Sequence, residues 1–385
     1  MTSSPTWPKR SKEPAVRTRF ATRLLHTGHE TDPATGAAAV PIYQVSMFDQ
    51  PGLDQPGEFD YARSGNPTRK ALEGVLAELD EAHAAFAFGS GMAAISTVLM
   101  LFSAGDHLVV TDDCYGGTYR VLTRVFSRFG LKATFVDTSD PDAVRAAIRP
   151  NTKALLVESV SNPFLKRTDI LAMSILARSC GALLIVDNTF LSPYVSRPIT
   201  EGADIVVHSA TKYLGGHSDV VAGTVAVKTA ALAQEVYFLQ NAVGAVLGPQ
   251  DCFLLQRGIK TLGVRMERQV KTAAGLARWL AGKPEVKEVF YPGAGAMVSF
   301  RLARDEWAAP FVDSLQLPLL GVSLGAVESI VTVPARHSHA SVPAPERQRR
   351  GITDGLIRYS VGLEDLEDLQ EDLALALGQA VRVAA

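Results

Sequence analysis

Two side chains at neighbouring strand ends could do chemistry together. The apolar run Leu183-Leu-Ile-Val186 delivers Asp187 at its carboxyl end, and Ile205-Val-Val207 delivers Ser209, Thr211 and Lys212 in the same way. Open α/β sheets place their ligand sites at such ends. A carboxylate and an amine presented together can be an ion pair, or they can serve opposite edges of one planar cofactor. A third segment bears on the choice. Phe88-Gly-Ser-Gly-Met92 leads from an apolar strand into an apolar helix, whose first amides can bind an anion, with glycine permitting close backbone approach. Ser209 and Thr211 add hydroxyl donors close to the lysine. Tyr115, after the strand Leu108-Val-Val110, can stack on a planar ring or simply pack in a turn.

An amine, a carboxylate and a phosphate cradle are what pyridoxal phosphate (PLP) enzymes require: a lysine that carries the cofactor aldehyde, and an aspartate that keeps the ring nitrogen protonated. The competing reading is a dinucleotide site. Gly89-Ser-Gly91-Met-Ala-Ala94 fits GxGxxA, and Asp112 follows a strand at a suitable distance, but a nicotinamide enzyme has no use for Lys212 with its flanking hydroxyls.

The elements that must position these residues alternate. Helical spacing over residues 72–80 is followed by the strand Ala84-Ala-Phe-Ala-Phe88, a helix from Gly91, and then apolar runs at Leu108–Val110, Ala154–Val157, Ala182–Val186, Ile205–Val207 and Thr224–Val227. Alternation of this kind predicts an α/β domain with a largely parallel sheet. Leu262, Met266, Val270, Leu276 and Leu280 predict a helix over Gln256–Leu280 that leads into a smaller α+β domain. Residues 21–60, rich in Gly, Pro and Thr, are too long for a simple connection and read as an arm packed on a partner subunit. The expected division is 1–60 arm, 61–255 large domain and 256–385 small domain.

Composition narrows the function. The chain has 385 residues, 47% of them hydrophobic, and 38 basic against 40 acidic side chains give a net charge of −2. No like-charge block suggests nucleic acid or a membrane surface, so a small molecule is the expected partner. Cys114, Cys180 and Cys252 form neither a CxxC pair nor an even disulfide set, which argues against a structural metal and for a reducing compartment. With no apolar leader in residues 1–20, a cytoplasmic protein is expected.

Six segments in order carry a resemblance: Tyr61-Ala-Arg-Ser-Gly-Asn-Pro-Thr68, Ser90-Gly-Met-Ala-Ala94, Tyr115-Gly-Gly-Thr118, Asp187-Asn-Thr-Phe190, His208-Ser-Ala-Thr-Lys-Tyr213 and Arg358-Tyr-Ser-Val-Gly-Leu-Glu364. From about residue 20 to the C-terminus the chain resembles the Cys/Met-metabolism family of PLP enzymes, the group of cystathionine γ- and β-lyases, cystathionine γ-synthase, methionine γ-lyase and O-acylhomoserine sulfhydrylases. The resemblance implies an aspartate-aminotransferase-like fold (fold type I) and a homotetramer of dimers with shared active sites. It implies that Lys212 holds PLP and moves protons, and that Tyr115 stacks on the ring and assists proton transfer to the leaving sulfur. Tyr61 and Arg63 would reach the neighbouring subunit's cofactor phosphate, beside Gly91, Met92, Ser209 and Thr211. Asn162 would sit near the phenolic oxygen, Asp187 at the ring nitrogen, Arg358 on the substrate carboxylate and Ser323 beside Lys212. Asp60, Arg120 and Val322 would form the pocket rim.

The expected activity is elimination of a thiol from cystathionine or a related thioether amino acid, with γ-replacement by a synthase or sulfhydrylase as the alternative. Three departures bear on specificity. Val322 stands where some relatives carry Glu, and Gly117 stands where methionine γ-lyases usually carry Cys. The segment Tyr291-Pro-Gly-Ala-Gly-Ala-Met-Val-Ser299 is shorter than usual. Arg336 and His337 are read as surface residues.

Overall fold

The computed structural model describes residues 18–28, 32, 35–340 and 342–383. The expected arm falls partly outside them. The apolar runs become strands: β1 (Ala84–Phe88), β2 (His107–Thr111), β3 (Lys132–Val136), β4 (Thr152–Glu158), β5 (Leu183–Asp187), β6 (Ile205–His208) and β7 (Gly223–Val227). They form one sheet in the order β1-β7-β6-β5-β4-β2-β3, parallel except for β7, which runs antiparallel to both neighbours. β3 escapes a reading by apolar pattern because it is an edge strand that none of its residues fully buries.

Side chains alternate across this sheet. One face packs Ala85, Leu155, Val186 and Val206 into the larger core, while the other packs Phe86, Phe88, Leu156, Ile185 and Val207 against the helix Gly91–Leu99. Glu158 follows Leu156, and Asp187 follows Ile185, at the period of two, so both inherit the second face. His208 takes the first, where Asp80, at the end of the helix Pro67–Leu79, meets it at 3.1 Å.

The strand order also disposes of the dinucleotide reading. A dinucleotide fold needs the glycine turn between strands of one neighbouring βαβ unit. Here β1 is one edge of the sheet and β2 lies next to the other edge.

A second sheet comprises β8 (Val286–Phe290), β9 (Met297–Leu302), β10 (Leu319–Leu320), β11 (Ile330–Thr332) and β12 (Leu356–Ser360), in the order β10-β11-β12-β9-β8. Only β10 and β11 pair in parallel. The helices Leu262–Ala281 and Leu366–Val383 contribute Met266, Leu276, Leu369 and Leu373 to its core. The short segment 291–296 closes the β8–β9 hairpin.

Two expectations change. The single helix expected over Gln256–Leu280 is two, Pro249–Ile259 and Leu262–Ala281. The Gly258 carbonyl that would continue the first helix instead accepts from Thr261 Oγ1 at 3.0 Å and Arg265 Nη2 at 2.9 Å. At the start of the expected arm 21–60, Phe20–His26 forms a short helix that buries Leu24. Among the described residues, no helix is long and apolar enough to cross a membrane.

Candidate active site

At the carboxyl ends of β4, β5 and β6, on the face shared with the helix Gly91–Leu99, lies a cavity of about 250 Å³. Gly91, Met92, Tyr115, Asn162, Asp187, Ser209, Thr211, Lys212, Val322 and Arg358 line it, so most of the residues expected from the sequence meet there. The cause is topological: parallel strands bring their exits to one edge, and β12 inserts Arg358 from the second sheet.

Lys212 is bound at its amine by Ser323 Oγ, 2.8 Å away. Burial, with the like charge of Arg358 adding to it, draws its pKa down to about 8. The amine is thus far closer to its nucleophilic, basic form at neutral pH than an ordinary lysine. Asp187 accepts from the Thr189 amide at 3.0 Å and from Thr189 Oγ1 at 2.6 Å. Burial raises its pKa, and these two bonds oppose the rise.

One end of the cavity is built from a helix start. Ser90 caps the helix Gly91–Leu99 by accepting from the Ala93 amide at 3.0 Å. Gly91 and Met92, as its first two residues, have no acceptor within the helix. Gly91 must be glycine: a Cβ there would lie 2.9 Å from Ser209 Cβ and 3.0 Å from its Oγ. That contact brings the helix amides and the Ser209 hydroxyl to one point.

Arg358 is almost fully buried, and burial lowers its pKa to about 10. Its guanidinium donates to Asn162 Oδ1 at 2.9 Å, and to the Ser323 carbonyl and Thr332 Oγ1 at 3.3 Å each. All three acceptors are neutral. A buried cation held by neutral acceptors, facing a cavity, is ready for an anion.

Asp60, Tyr61, Arg63 and Arg120 do not line this cavity. Arg63 Nη1 donates to the side chain of Asn241 at 2.9 Å, Asp60 Oδ1 accepts from the Tyr61 amide at 2.6 Å, and Arg120 is exposed. Arg336 pairs with Asp354 at 2.7 Å, and His337 Nδ1 accepts from the Val333 amide at 3.2 Å; neither lines the cavity. The sequence reading assigned nothing to Glu158, Thr189 and Phe190, which do line it. Thr189 stands two residues after Asp187, the spacing at which a hydroxyl returns to a carboxylate. Glu158 ends a strand beside Asp187, a signal visible only once the strand order is known.

The arrangement fits PLP: an amine of lowered pKa, a carboxylate at the far side, a ring-sized space flanked by Tyr115, and amides and hydroxyls gathered for a phosphate. The fold and this cavity together define an aspartate-aminotransferase-like, PLP-dependent enzyme of fold type I. Residues 21–378 match the family described as Cys/Met metabolism PLP-dependent enzyme, and the chain belongs to that family.

It is 52% identical over 372 residues to a cystathionine gamma-lyase of Bacillus subtilis, covering 92% of this chain and 98% of the relative. It is 49% identical over 379 residues to a cystathionine beta-lyase of the same organism, covering 94% and 97%. A crystal structure of cystathionine gamma-lyase from Lactobacillus plantarum complexed with L-serine superposes with a TM-score of 0.93 at 46% identity, over 94% of this chain and all of that one.

Proposed function

We propose that this chain is a carbon–sulfur lyase that eliminates a thiol from cystathionine or a related thioether amino acid, leaving an oxo acid and ammonia. The observation that carries the reading is the meeting, in one cavity, of Lys212 with its lowered pKa and of buried Arg358. One is a base, the other a fork for an α-carboxylate.

Bound PLP supplies an electron sink for the charge left at Cα when a proton departs. Lys212 takes that proton, with Ser323 Oγ orienting the amine. Arg358 fixes the substrate carboxylate, and Asp187 keeps the ring nitrogen protonated. Asn162, already bonded to Arg358, would bind the phenolic oxygen of the cofactor. For a leaving group on Cγ, Lys212 also takes a proton from Cβ, and Tyr115 passes one to the departing sulfur.

Gly91, Met92, Ser209 and Thr211 would hold the phosphate of bound PLP, completed by Tyr61 and Arg63 of the partner subunit. Their absence from the cavity of their own chain supports that sharing, as does the run of residues 36–60, where Met47 and Leu53 are 61% and 100% exposed. We infer a homotetramer of dimers in the cytoplasm, built from the arm 1–60, a large domain 61–255 and a small domain 256–385. Asp60, Arg120 and Val322 are proposed for the substrate's distal end.

The names of the lyase relatives support elimination over replacement, as does the run Tyr115-Gly-Gly-Thr-Tyr-Arg120, which resembles that of bacterial cystathionine lyases. Product analysis tests it. Purified protein is expected to release oxo acid and a thiol from cystathionine; homocysteine as the thiol marks β-elimination and cysteine marks γ-elimination. Failure to do so, together with formation of cystathionine from O-acylhomoserine and cysteine, would make the chain a synthase. Lys212→Ala is expected to abolish turnover.

A further inference from the structure

Glu158 is a cavity carboxylate to which the proposed chemistry assigns no task. It is the direct register partner of Asp187 between β4 and β5, and both side chains line the same cavity. Neighbouring strands lie about 4.8 Å apart. Two ionised carboxylates on register partners of adjacent strands, shielded from water, repel one another strongly enough that one retains its proton.

Hydrogen bonds decide which. Asp187 accepts two donors, both from Thr189, and keeps part of its surface open to the cavity. Glu158 is 8% exposed and accepts one side-chain bond, from the Tyr115 amide at 2.7 Å. Asp113 and the Cys114 thiol face it from the segment after β2, and Asp187 faces it from β5. Burial first, then the charge of Asp187, and lastly that of Asp113 push its carboxyl up, and the Tyr115 amide alone opposes them.

We propose that Glu158 is carried as a neutral carboxylic acid and acts as a positioning residue, anchoring Tyr115 against the cofactor while leaving Asp187 the ionised carboxylate at the ring nitrogen. This rests on the assignment of the cavity to PLP. Tyr115 precedes the helix Gly116–Arg124 without a side-chain cap of its own, so the bond to Glu158 fixes the backbone from which its ring projects. An ionised Glu158 would make the same bond but would set a second negative charge beside Asp187. A neutral acid anchors the ring without that charge.

Infrared difference spectra of wild type minus Glu158→Gln, recorded on apoprotein and on PLP-loaded protein at neutral and mildly alkaline pH, test the protonation directly. A carbonyl band of a protonated carboxylic acid, lost in the variant, is expected in both forms. A carboxylate band in its place overturns the proposal. Kinetics test the anchoring: Glu158→Ala is expected to lose about tenfold or more in kcat, equivalent to one hydrogen bond. Glu158→Gln should restore most of that loss and keep the wild-type pH profile, because its neutral carbonyl accepts the same amide. A Gln variant as impaired as Ala, with a displaced pH profile, shows that a charge at Glu158 is used and refutes the idea. Should the Ala variant not fold, the infrared bands and the Gln profile still decide. Loss of the visible chromophore's sensitivity to borohydride would instead refute the PLP assignment, and the apoprotein spectra are read independently of it.

Discussion

Lys212 Nζ donates to Ser323 Oγ across 2.8 Å, joining the end of β6 to a segment 111 residues further along the chain. The amine and the Arg358 guanidinium are therefore fixed relative to one another through Ser323, whose carbonyl also accepts from Arg358.

In cofactor-free protein, Lys212 is expected to titrate at about 8 rather than 10.5. Between those values the unfolded chain holds more protons than the folded one, so this group makes stability rise with pH across that window. Below it the full cost of burying an amine is present. The rate of PLP capture should climb as pH rises through about 8, and Arg358→Leu should move that midpoint upward by removing a like charge. Stopped-flow absorbance measures both.

Ser323→Ala removes the acceptor of the Lys212 amine but leaves the backbone carbonyl that serves Arg358. The loss of one orienting bond, about 1 kcal/mol, predicts a fall in kcat of roughly fivefold with PLP content unchanged. An unaltered kcat would mean that Ser323 does not orient the base.

Arg358→Lys keeps a charge but loses the fork, and it leaves Asn162 and Thr332 without their donor. A loss in kcat/KM of about 100-fold, from roughly 3 kcal/mol, is expected in steady-state assays. It should appear for every amino-acid substrate tried, since the α-carboxylate is common to all.

Gly117 lies beneath the Tyr115 ring. A Cβ there would come within 2.4 Å of Tyr115 Cε1 and 2.8 Å of Met92 Sδ. Gly117→Ala is expected to displace the ring, visible in a crystal structure, and to lower kcat more than PLP affinity. An undisplaced Tyr115 would contradict the packing described.

His208 and Asp80 form a buried pair on the face of the sheet opposite the cavity. Burial alone would lower the pKa of His208, but the charge and hydrogen bond of Asp80, helped by Asp187, outweigh it and hold it above 6.5. A raised histidine contributes stability that is complete below pH 6.5 and is lost as pH rises through the folded value. Asp80→Asn should therefore cost most, about 3 kcal/mol, in acid and progressively less in alkali, as read from denaturant midpoints against pH.

Much of this was legible locally. The apolar runs before Asp187 and Ser209 announced two buried strands, and each run's length told where it ended and what it delivered. Ser90 before an apolar helix announced an anion-ready terminus. The edge strand Lys132–Val136 was not legible, because an edge shows no continuous apolar run. The break at Lys260–Thr261 was not legible either, since the helical spacing persists across it and only the reach of Arg265 to Gly258 interrupts the backbone pattern.

The sequence by itself determined two reactive types, Lys212 and Asp187, and the strands that present them, because strand periodicity is local; Arg358 was named only through the family resemblance. Only the tertiary structure decided that Arg358 is a buried cation in the same cavity rather than a solvated charge, and that Glu158 stands beside Asp187. Strand order pairs residues from separate segments, as Glu158 and Asp187 do across β4 and β5, and the docking of the second sheet joins residues as distant as Asn162 and Arg358, so no local spacing encodes either.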